Sequence, residues 1–284
     1  MTKKYRKRLL RRQVLLLVLT AALVLVSGCT GEGEEASEAP GADAEASEEA
    51  GPTDEPEFAD PVTIPAGTVI DSGEDADRFF LISEITDDVY ARIDGKSFQE
   101  GGKIAREDLR YLRVLYVDFD GETRSGELIV NERAAEDALA VFRELYERKY
   151  AIRKMVLVDE YYDIDHPKYD HLDRGNKADC VSIEDDNTSA FNYRTASDND
   201  GVLSNHALGL AIDLNPYENP YVWADGTLDG PDGSAEYLDR SKASEENHML
   251  RDGDTAVTAF KTHGFSWGGD WQGNKDYQHF DYEK

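Results

Sequence analysis

The sequence predicts an α+β fold, in which helices flank an antiparallel sheet within a single compact domain. Two strand-like segments are separated by a turn, and two helical segments are bounded by capping residues. Strands and helices do not alternate regularly, as they do in parallel-sheet proteins. The 284 residues are 40% hydrophobic, which is enough for a substantial core. Two cysteines allow at most one bridge and exclude a disulfide-built scaffold.

A β-hairpin is predicted between residues 112 and 130. The segment 112–119 (LRVLYVDF) is rich in strand-forming residues, and 126–130 (GELIV) resumes that pattern. Between them, Asp120-Gly121 is a turn signal. A further short strand is predicted at 155–158.

Two helices are predicted from their caps and their apolar spacing. Asn131 is suited to cap a helix that runs to about Lys149. The apolar positions that follow the helical repeat are Ala135, Ala138, Leu139, Phe142, Leu145 and Tyr146. A second helix is predicted between Asp254 and Gly264, with Gly264 at the usual stop position.

The N-terminal 28 residues have the features of a secretory signal. They carry seven cations and no anion, and the thirteen residues 14–26 contain only Thr20 as a polar member. A spanning helix needs about 20 apolar residues, so this stretch is short for a membrane span and typical of a signal. We therefore expect the remainder of the chain to be exported.

Residues 31–60 predict a disordered spacer. They contain twelve acidic residues and no cation, among Gly, Ala, Ser and Pro. Too little apolar surface is available there to offset the entropy of folding. The predicted organisation is a signal at 1–28, an acidic tether at 29–77 and a compact domain at 78–284.

The net charge of −28 argues against nucleic acid as a partner. Binding to nucleic acid requires clustered cations that release the counterions of the phosphates. We therefore expect no nucleic-acid binding.

Candidate metal ligands occur in two segments, Ser204 to Asp213 (SNHALGLAID) and Asp276 to His279 (DYQH). Two histidines and a carboxylate can supply the three protein ligands of a catalytic zinc and leave the fourth position to water. A second carboxylate nearby can accept the proton of that water. On spacing alone, a structural role for the histidines stays open.

The glycine between His206 and Asp213 has a predicted role in bringing them together. The two residues are seven positions apart, so a regular strand would place them on opposite faces. A bulge or bend at Gly209 could reunite them.

The first of these segments matches, at every defined position, the pattern Ser-x-His-x-x-Gly-x-Ala-x-Asp. This pattern resembles that of the zinc D-Ala-D-Ala carboxypeptidase and L-alanyl-D-glutamate peptidase family, and Asp276-x-x-His279-Phe280 resembles the closing motif of that family. The segments 189–194 (SAFNYR) and 267–271 (WGGDW), with the hairpin around 119–128, are also similar to it. The resemblance therefore covers most of the predicted domain.

The resemblance implies a role for five residues. The zinc ligands of the family fall on His206, Asp213 and His279, and its catalytic base falls on Asp276. Its arginine, which polarises the substrate carbonyl and stabilises the oxyanion, falls on Arg194. The implied activity is hydrolysis of a peptide bond by zinc-activated water.

The implied substrates are the stem peptides of peptidoglycan. Family members that remove a terminal D-Ala often have Glu at the base position, whereas Asp276 resembles the L-Ala-D-Glu endopeptidases. Both bonds therefore stay open. An alternative function is a cell-wall-binding lipoprotein that keeps the fold without catalysis.

The end of the signal, Val26-Ser27-Gly28-Cys29, resembles the lipobox of bacterial lipoprotein precursors. This resemblance implies that Cys29 is lipidated and holds the protein at the outer face of the cell membrane. An uncleaved anchor with an incidental cysteine is the alternative interpretation. Cys180 is then left without a partner, and we expect it to be a buried, inert thiol.

Several other side chains have open or structural interpretations. His166 and His171 lie among aspartates and are interpreted as part of a solvated loop, with a second cation site as the alternative. His248 is expected to be exposed. Trp267 and Trp271 could line a substrate groove or fill the core.

Overall fold

A computed structural model describes residues 63–71, 75–196 and 199–284. All of these residues fall in one compact unit. The predicted signal, Cys29 and the acidic spacer at 31–60 lie outside the described ranges. Across those ranges, no helix combines the length and the apolar character needed to cross a membrane.

The fold class is confirmed, because helices are mixed with antiparallel sheets. The helices are α1 (Asp87–Ile93), α2 (Glu132–Glu147), α3 (Arg174–Glu184) and α4 (Thr255–Thr262). The strands are β1 (Leu81–Glu84), β2 (Leu109–Val117), β3 (Thr123–Asn131), β4 (Thr195–Ala196), β5 (Asn199–Leu203), β6 (Ala211–Asp213), β7 (Tyr221–Val222), β8 (Leu228–Asp229), β9 (Phe265–Trp267), β10 (Lys275–Asp276) and β11 (His279–Tyr282).

The predicted hairpin is confirmed with shifted bounds: both strands begin three residues earlier than predicted, the first ends two residues earlier at Val117, and the second extends one residue further to Asn131. Strands β2 and β3 pair from Leu109 opposite Asn131 to Val117 opposite Thr123. The Asp118 carboxylate stabilises the turn, since it accepts hydrogen bonds of 2.9 Å from the backbone N–H groups of Asp120 and Glu122. With β1 on the other side of β2, the hairpin forms a three-stranded sheet.

Helix α2 begins where it was predicted, directly after β3. The Asn131 side chain accepts a 3.1 Å hydrogen bond from the Arg133 N–H and caps the helix. The helix ends at Glu147, two residues before the predicted end, and Lys149 already has a positive φ of 55°. A left-handed residue cannot continue a right-handed helix.

The strand predicted at 155–158 is wrong. The backbone hydrogen bonds of Val156 are made to the side chain of Asn187 and not to a neighbouring strand. The Asn187 amide accepts from the Val156 N–H at 2.8 Å and donates to the Val156 carbonyl at 3.0 Å. Val158 then begins a 3-10 turn that runs to Tyr161. The β-branched residues of this segment are buried or half-buried without belonging to a sheet.

A second three-stranded sheet, in the order β6-β11-β9, lies near the end of the chain. Phe280 on β11 is fully buried and stacks on Phe260 of α4, with ring centroids 3.9 Å apart. The helix predicted between Asp254 and Gly264 is confirmed as α4. The Asp254 side chain caps it by accepting from the Val257 N–H at 2.7 Å, and Gly264 lies beyond its end with a φ of 90°. This packing fixes β11 against the core.

Residues 63–71 lie along the hairpin. The Ile70 N–H donates to the Thr123 carbonyl at 2.9 Å, and the Ser125 N–H donates to the Thr68 carbonyl at 3.0 Å. The chain is therefore already packed on β3 before residue 78.

Candidate metal centre

Asp213 and His279 lie directly opposite each other on adjacent strands. Asp213 ends β6, His279 begins β11, and the antiparallel register pairs them. Side chains at paired positions project from the same face of a sheet. The His279 Nδ1 atom is 2.9 Å from Asp213 Oδ1. Two candidate ligands that are distant in sequence are therefore neighbours through strand pairing.

His206 joins this pair from a short 3-10 turn, Asn205–Leu208. Ser204 caps the turn by accepting from the His206 N–H at 3.3 Å. Gly209 ends it in the left-handed conformation, with a φ of 67°, and the chain then enters β6. The predicted bend at Gly209 is present, and it brings His206 and Asp213 together.

The residue after the turn must also be small, because the β3–α2 junction lies against it. A Cβ on Gly209 would lie 2.5 Å from the Asn131 nitrogen. Asn131 holds the turn through its backbone N–H, which donates to the Gly209 carbonyl at 2.7 Å, and through its side chain, which donates to the Leu208 carbonyl at 3.0 Å. The hairpin thus supports the His206 turn.

Gly209→Ala is expected to lower the free energy of unfolding by about 2–5 kcal/mol, from left-handed strain and overpacking together. Gly226→Ala is the matched control. Gly226 has a φ of 86°, and a Cβ added there would meet nothing within 4 Å, so only strain of about 1–2 kcal/mol applies. Urea unfolding of both variants measures the difference. Equal losses at the two positions would contradict the close approach.

The spacing of the three candidate ligands suits a tetrahedral metal. His206 Nε2 is 3.2 Å from His279 Nδ1 and 3.2 Å from Asp213 Oδ2. Ligand atoms at the zinc distances of about 2.0–2.2 Å are separated by about 3.3 Å in a tetrahedron. In the part of the chain that the structure describes, this is the one group of three or more metal-ligating residues. All three residues are buried.

The remaining ring nitrogens of both histidines have acceptors. His206 Nδ1 is 2.6 Å from the Ala190 carbonyl oxygen, and His279 Nε2 is 2.9 Å from Asp281 Oδ1. Asn205 donates to the same Asp281 oxygen at 2.7 Å. If each ring carries its proton on this outer nitrogen and donates it to the acceptor, His206 Nε2 and His279 Nδ1 carry no proton. These two nitrogens then face the centre as ligands.

Asp281→Ala is expected to weaken zinc binding by about 10- to 100-fold, because His279 would lose the carboxylate that orients its ring. Competition with a zinc chelator measures the affinity. Asp252→Ala serves as a control, since Asp252 is exposed and pairs with Lys261 at 3.0 Å. Unchanged affinity in Asp281→Ala would contradict the orienting role.

The electrostatic environment of the three ligands favours a cation. Burial alone would raise the pKa of Asp213, but the His206 and His279 rings hold it well below its ordinary value. Burial alone would lower the pKa of His279, yet Asp213 and Asp281 raise it well above its ordinary value. Positive charge is thus stabilised between these carboxylates, and a metal ion can replace the protons there.

Asp276 lies beside the ligand set on β10. Its Oδ2 is 3.9 Å from His279 Nδ1, while its buried Oδ1 has no hydrogen-bond partner among the described residues. Burial is the main cause that raises the pKa of Asp276 to about 7. The charge of a bound metal would lower this pKa, so Asp276 would be ionised at neutral pH and able to accept a proton from water.

Arg194 is buried at the same site, not exposed as a surface cation would be. Its Nη2 forms an ion pair of 2.9 Å with Asp179 Oδ2 on α3, and its Nη1 donates to the Thr195 carbonyl at 3.2 Å. Its buried Nε–H has no acceptor within the described ranges. The guanidinium is therefore held in place by two of its five N–H donors, and the others, the Nε–H among them, have no partner within the described ranges.

These side chains share one groove. A cavity of about 280 Å³ is lined by Arg194, His206, Tyr221, Trp271, Asp276 and His279, among others. The Trp271 ring is 5.5 Å from the His279 ring, whereas Trp267 is buried in the core with its N–H donating to the Tyr277 carbonyl at 2.8 Å. The two tryptophans thus have different roles, one at the groove and one in the core.

A larger cavity, about 520 Å³, lies away from the ligand set. Charged side chains that line it form ion pairs with one another, since Arg92 pairs with Glu127 at 2.7 Å and Lys154 pairs with Asp185. Size alone does not identify the functional cavity in this protein.

The other sequence candidates have structural surroundings. His166 pairs with Glu184 at 2.9 Å and stacks on Tyr169, and it belongs to no group of three ligands among the described residues. His248 is half-buried and stacks on Phe119 at 3.6 Å, so its expected exposure is wrong. Cys180 is half-buried where a buried thiol was expected. Burial still raises the pKa of its thiol to about 12, which agrees with an inert thiol.

Three residues at the site were not identified from the sequence: Asn205, Asp281 and Asp179. Asp281 lies two positions after His279 on a strand, and this spacing could have suggested a shared face. Asp179 lies on the buried face of α3 with Gly175, Ala178 and Ser182, a helical spacing that could have revealed a buried carboxylate. No signal links Asn205 to Asp281 before the fold is known.

Comparison with known proteins agrees with this geometry. Residues 197–282 match the sequence model of a family described as D-alanyl-D-alanine carboxypeptidase. The matched range contains His206, Asp213, Asp276 and His279, and Arg194 lies three residues before it. The match confirms the family resemblance and supports a peptidase role in general. No curated protein and no solved structure matches the chain.

Proposed function

We propose that this protein is a zinc metallopeptidase that hydrolyses the stem peptides of peptidoglycan. The observation that carries the proposal is the buried set His206, Asp213 and His279, with Asp276 and Arg194 on the same groove. The family match supports the peptidase chemistry, and the spacing of the ligand atoms supports zinc.

Zinc would be held by His206 Nε2, Asp213 and His279 Nδ1, and it supplies a Lewis acid that lowers the pKa of water to about 7. The Asp276 carboxylate accepts the proton of the attacking water and delivers it to the leaving amine. Arg194 donates to the carbonyl oxygen as negative charge develops there. Asp179 keeps the guanidinium in position during the reaction.

Two bonds of the stem peptide are candidates. The matching family is described by its action on D-alanyl-D-alanine. An aspartate at the base position instead favours the bond between L-Ala and D-Glu, by the resemblance of the sequence motif. Hydrolysis at either bond requires the same five residues.

We propose further that the protein acts outside the cell membrane. The basic and apolar signal at 1–28 supports export, and Cys29 supports attachment through a lipid. The acidic spacer would hold the peptidase domain on the order of 30 Å from the anchor. Peptidoglycan is the peptide-bearing polymer within that reach.

The test is digestion of purified muropeptides with the zinc-loaded protein, followed by mass spectrometry. Loss of a single alanine identifies the D-Ala-D-Ala bond, and separation of L-Ala from D-Glu identifies the other. The proposal fails if neither bond is cleaved while zinc is bound.

A further inference from the structure

The position of the proposed base, Asp276, depends on the backbone that carries it. Its Oδ1 atom has no hydrogen-bond partner among the described residues, and its Oδ2 atom is 3.9 Å from His279 Nδ1, beyond hydrogen-bond distance. The residue lies on the two-residue strand β10, where it pairs with Tyr221 of β7. A strand this short fixes little by itself, so the residues that pack against its backbone matter.

Gly268 lies directly against the backbone of Asp276. A Cβ added to Gly268 would lie 2.4 Å from the Asp276 carbonyl oxygen and 3.0 Å from the Asp276 Cβ. The φ of Gly268 is outside the left-handed region, so the close approach, and not the backbone conformation, requires glycine there. A larger residue would have to displace the Asp276 peptide group, because a peptide group cannot turn aside as the end of a flexible side chain can.

The indole of Trp267 fixes the residue that follows Asp276. Its Nε1–H donates to the Tyr277 carbonyl at 2.8 Å, and the side chain is buried. The ring lies against Gly269, where an added Cβ would be 2.3 Å from it. The segment 267–269 (WGG) therefore contacts the backbone of two successive residues, the base and its neighbour.

The ring of Tyr277 also has a fixed partner. The guanidinium carbon of Arg240 lies 4.2 Å from the centre of this ring. Arg240 is itself held by hydrogen bonds of 2.9 Å to the Glu218 carbonyl and to Asn219 Oδ1. Both the backbone and the side chain of the residue next to Asp276 are thus restrained.

We propose that Trp267 and Gly268 are positioning residues for Asp276. The inference rests on the proposed peptidase function and adds two residues that act on the base without touching the substrate. Neither belongs to the described lining of the groove, so they act through the backbone of residues 276 and 277. A base must lie within hydrogen-bond reach of the water it deprotonates, and a misplacement of about 1 Å can lower the rate by about 10²-fold.

The test measures kcat, KM and zinc content of Trp267→Phe and Gly268→Ala, with the zinc-loaded full-length protein and a cleavable muropeptide. Trp267→Phe keeps a buried aromatic ring and removes the N–H, and kcat is expected to fall by about 10-fold. Gly268→Ala displaces the Asp276 backbone, and kcat is expected to fall by about 10²-fold. KM and the bound zinc should be retained, because the groove and the three ligands are unchanged.

Two matched controls impose similar changes away from the base. In Gly126→Ala the new Cβ would lie 2.8 Å from Met155 Sδ, again with φ outside the left-handed region. Tyr161→Phe removes the 2.8 Å hydrogen bond from a buried phenol to Asp185. Both variants are expected to unfold at a lower temperature than the wild type and to keep its kcat. A loss of kcat in these controls equal to that in the test variants would overturn the proposal.

Combination with Asp276→Asn distinguishes positioning of the base from a general loss of structure. If Trp267 and Gly268 act through Asp276, adding Trp267→Phe or Gly268→Ala to Asp276→Asn should leave the residual kcat unchanged within about twofold. A further fall by the factor seen in the wild-type background would overturn the proposal, as would wild-type kcat in both single variants. Absence of cleavage by the zinc-loaded wild type would instead overturn the proposed function, and the positioning role with it.

Discussion

Replacement of Asp276 by asparagine is expected to reduce kcat by about 10²- to 10⁴-fold, while the protein keeps its zinc. Asparagine has nearly the same shape as aspartate but cannot accept a proton from water. Asp276 is not one of the three ligands, and its Oδ2 is 3.9 Å from His279 Nδ1, so the metal set is expected to persist. Steady-state kinetics on a cleavable muropeptide, with zinc content measured on the same preparation, checks both parts.

Asp270→Asn is the appropriate control for this variant. Asp270 lies six residues earlier, and it pairs with Lys261 at 2.7 Å on the surface. Its kcat is expected to equal that of the wild type. A similar kcat in Asp276→Asn and the wild type would show that another group carries the proton.

The second large effect is expected at Arg194. Arg194→Lys keeps a positive charge beside Asp179 but removes the Nε–H that has no acceptor within the described ranges. Lysine lacks the planar fork that can bind a carboxylate and a carbonyl together. We expect kcat to fall by about 10²- to 10³-fold, the usual effect of removing a preorganised donor to an oxyanion.

Arg194→Ala is expected to combine this loss with lower stability. It would leave the Asp179 carboxylate buried without its ion pair, which typically costs about 3–5 kcal/mol. Comparing thermal unfolding of the Lys and Ala variants separates the two effects. If Arg194→Lys retained wild-type kcat, the role of the guanidinium at the carbonyl would be refuted.

The sequence predicted the parts of the fold that local patterns determine. The β2–β3 hairpin and helices α2 and α4 have their own turn or cap signals, so each was located from neighbouring residues alone. The error at 155–158 has the opposite origin. Apolar β-formers predicted a strand there, but the side chain of Asn187, about thirty residues away in sequence, provides the hydrogen bonds that a neighbouring strand would have provided.

The candidate site shows the same distinction. His206, Asp213, His279 and Asp276 were identified because they fall in two compact motifs, and Arg194 was identified by resemblance. The supporting partners were not identified, because their roles depend on tertiary structure. Asp179 reaches the site only through the packing of α3.

The most direct test of this account is the zinc content of the purified protein after loading and exhaustive dialysis. The wild type is predicted to retain one zinc per chain, and His206→Ala is predicted to retain none, because two remaining ligands hold zinc weakly. Circular dichroism of both forms shows whether the fold is kept. A wild-type chain without zinc, or a folded His206→Ala chain that retains a full equivalent, would contradict the central claim.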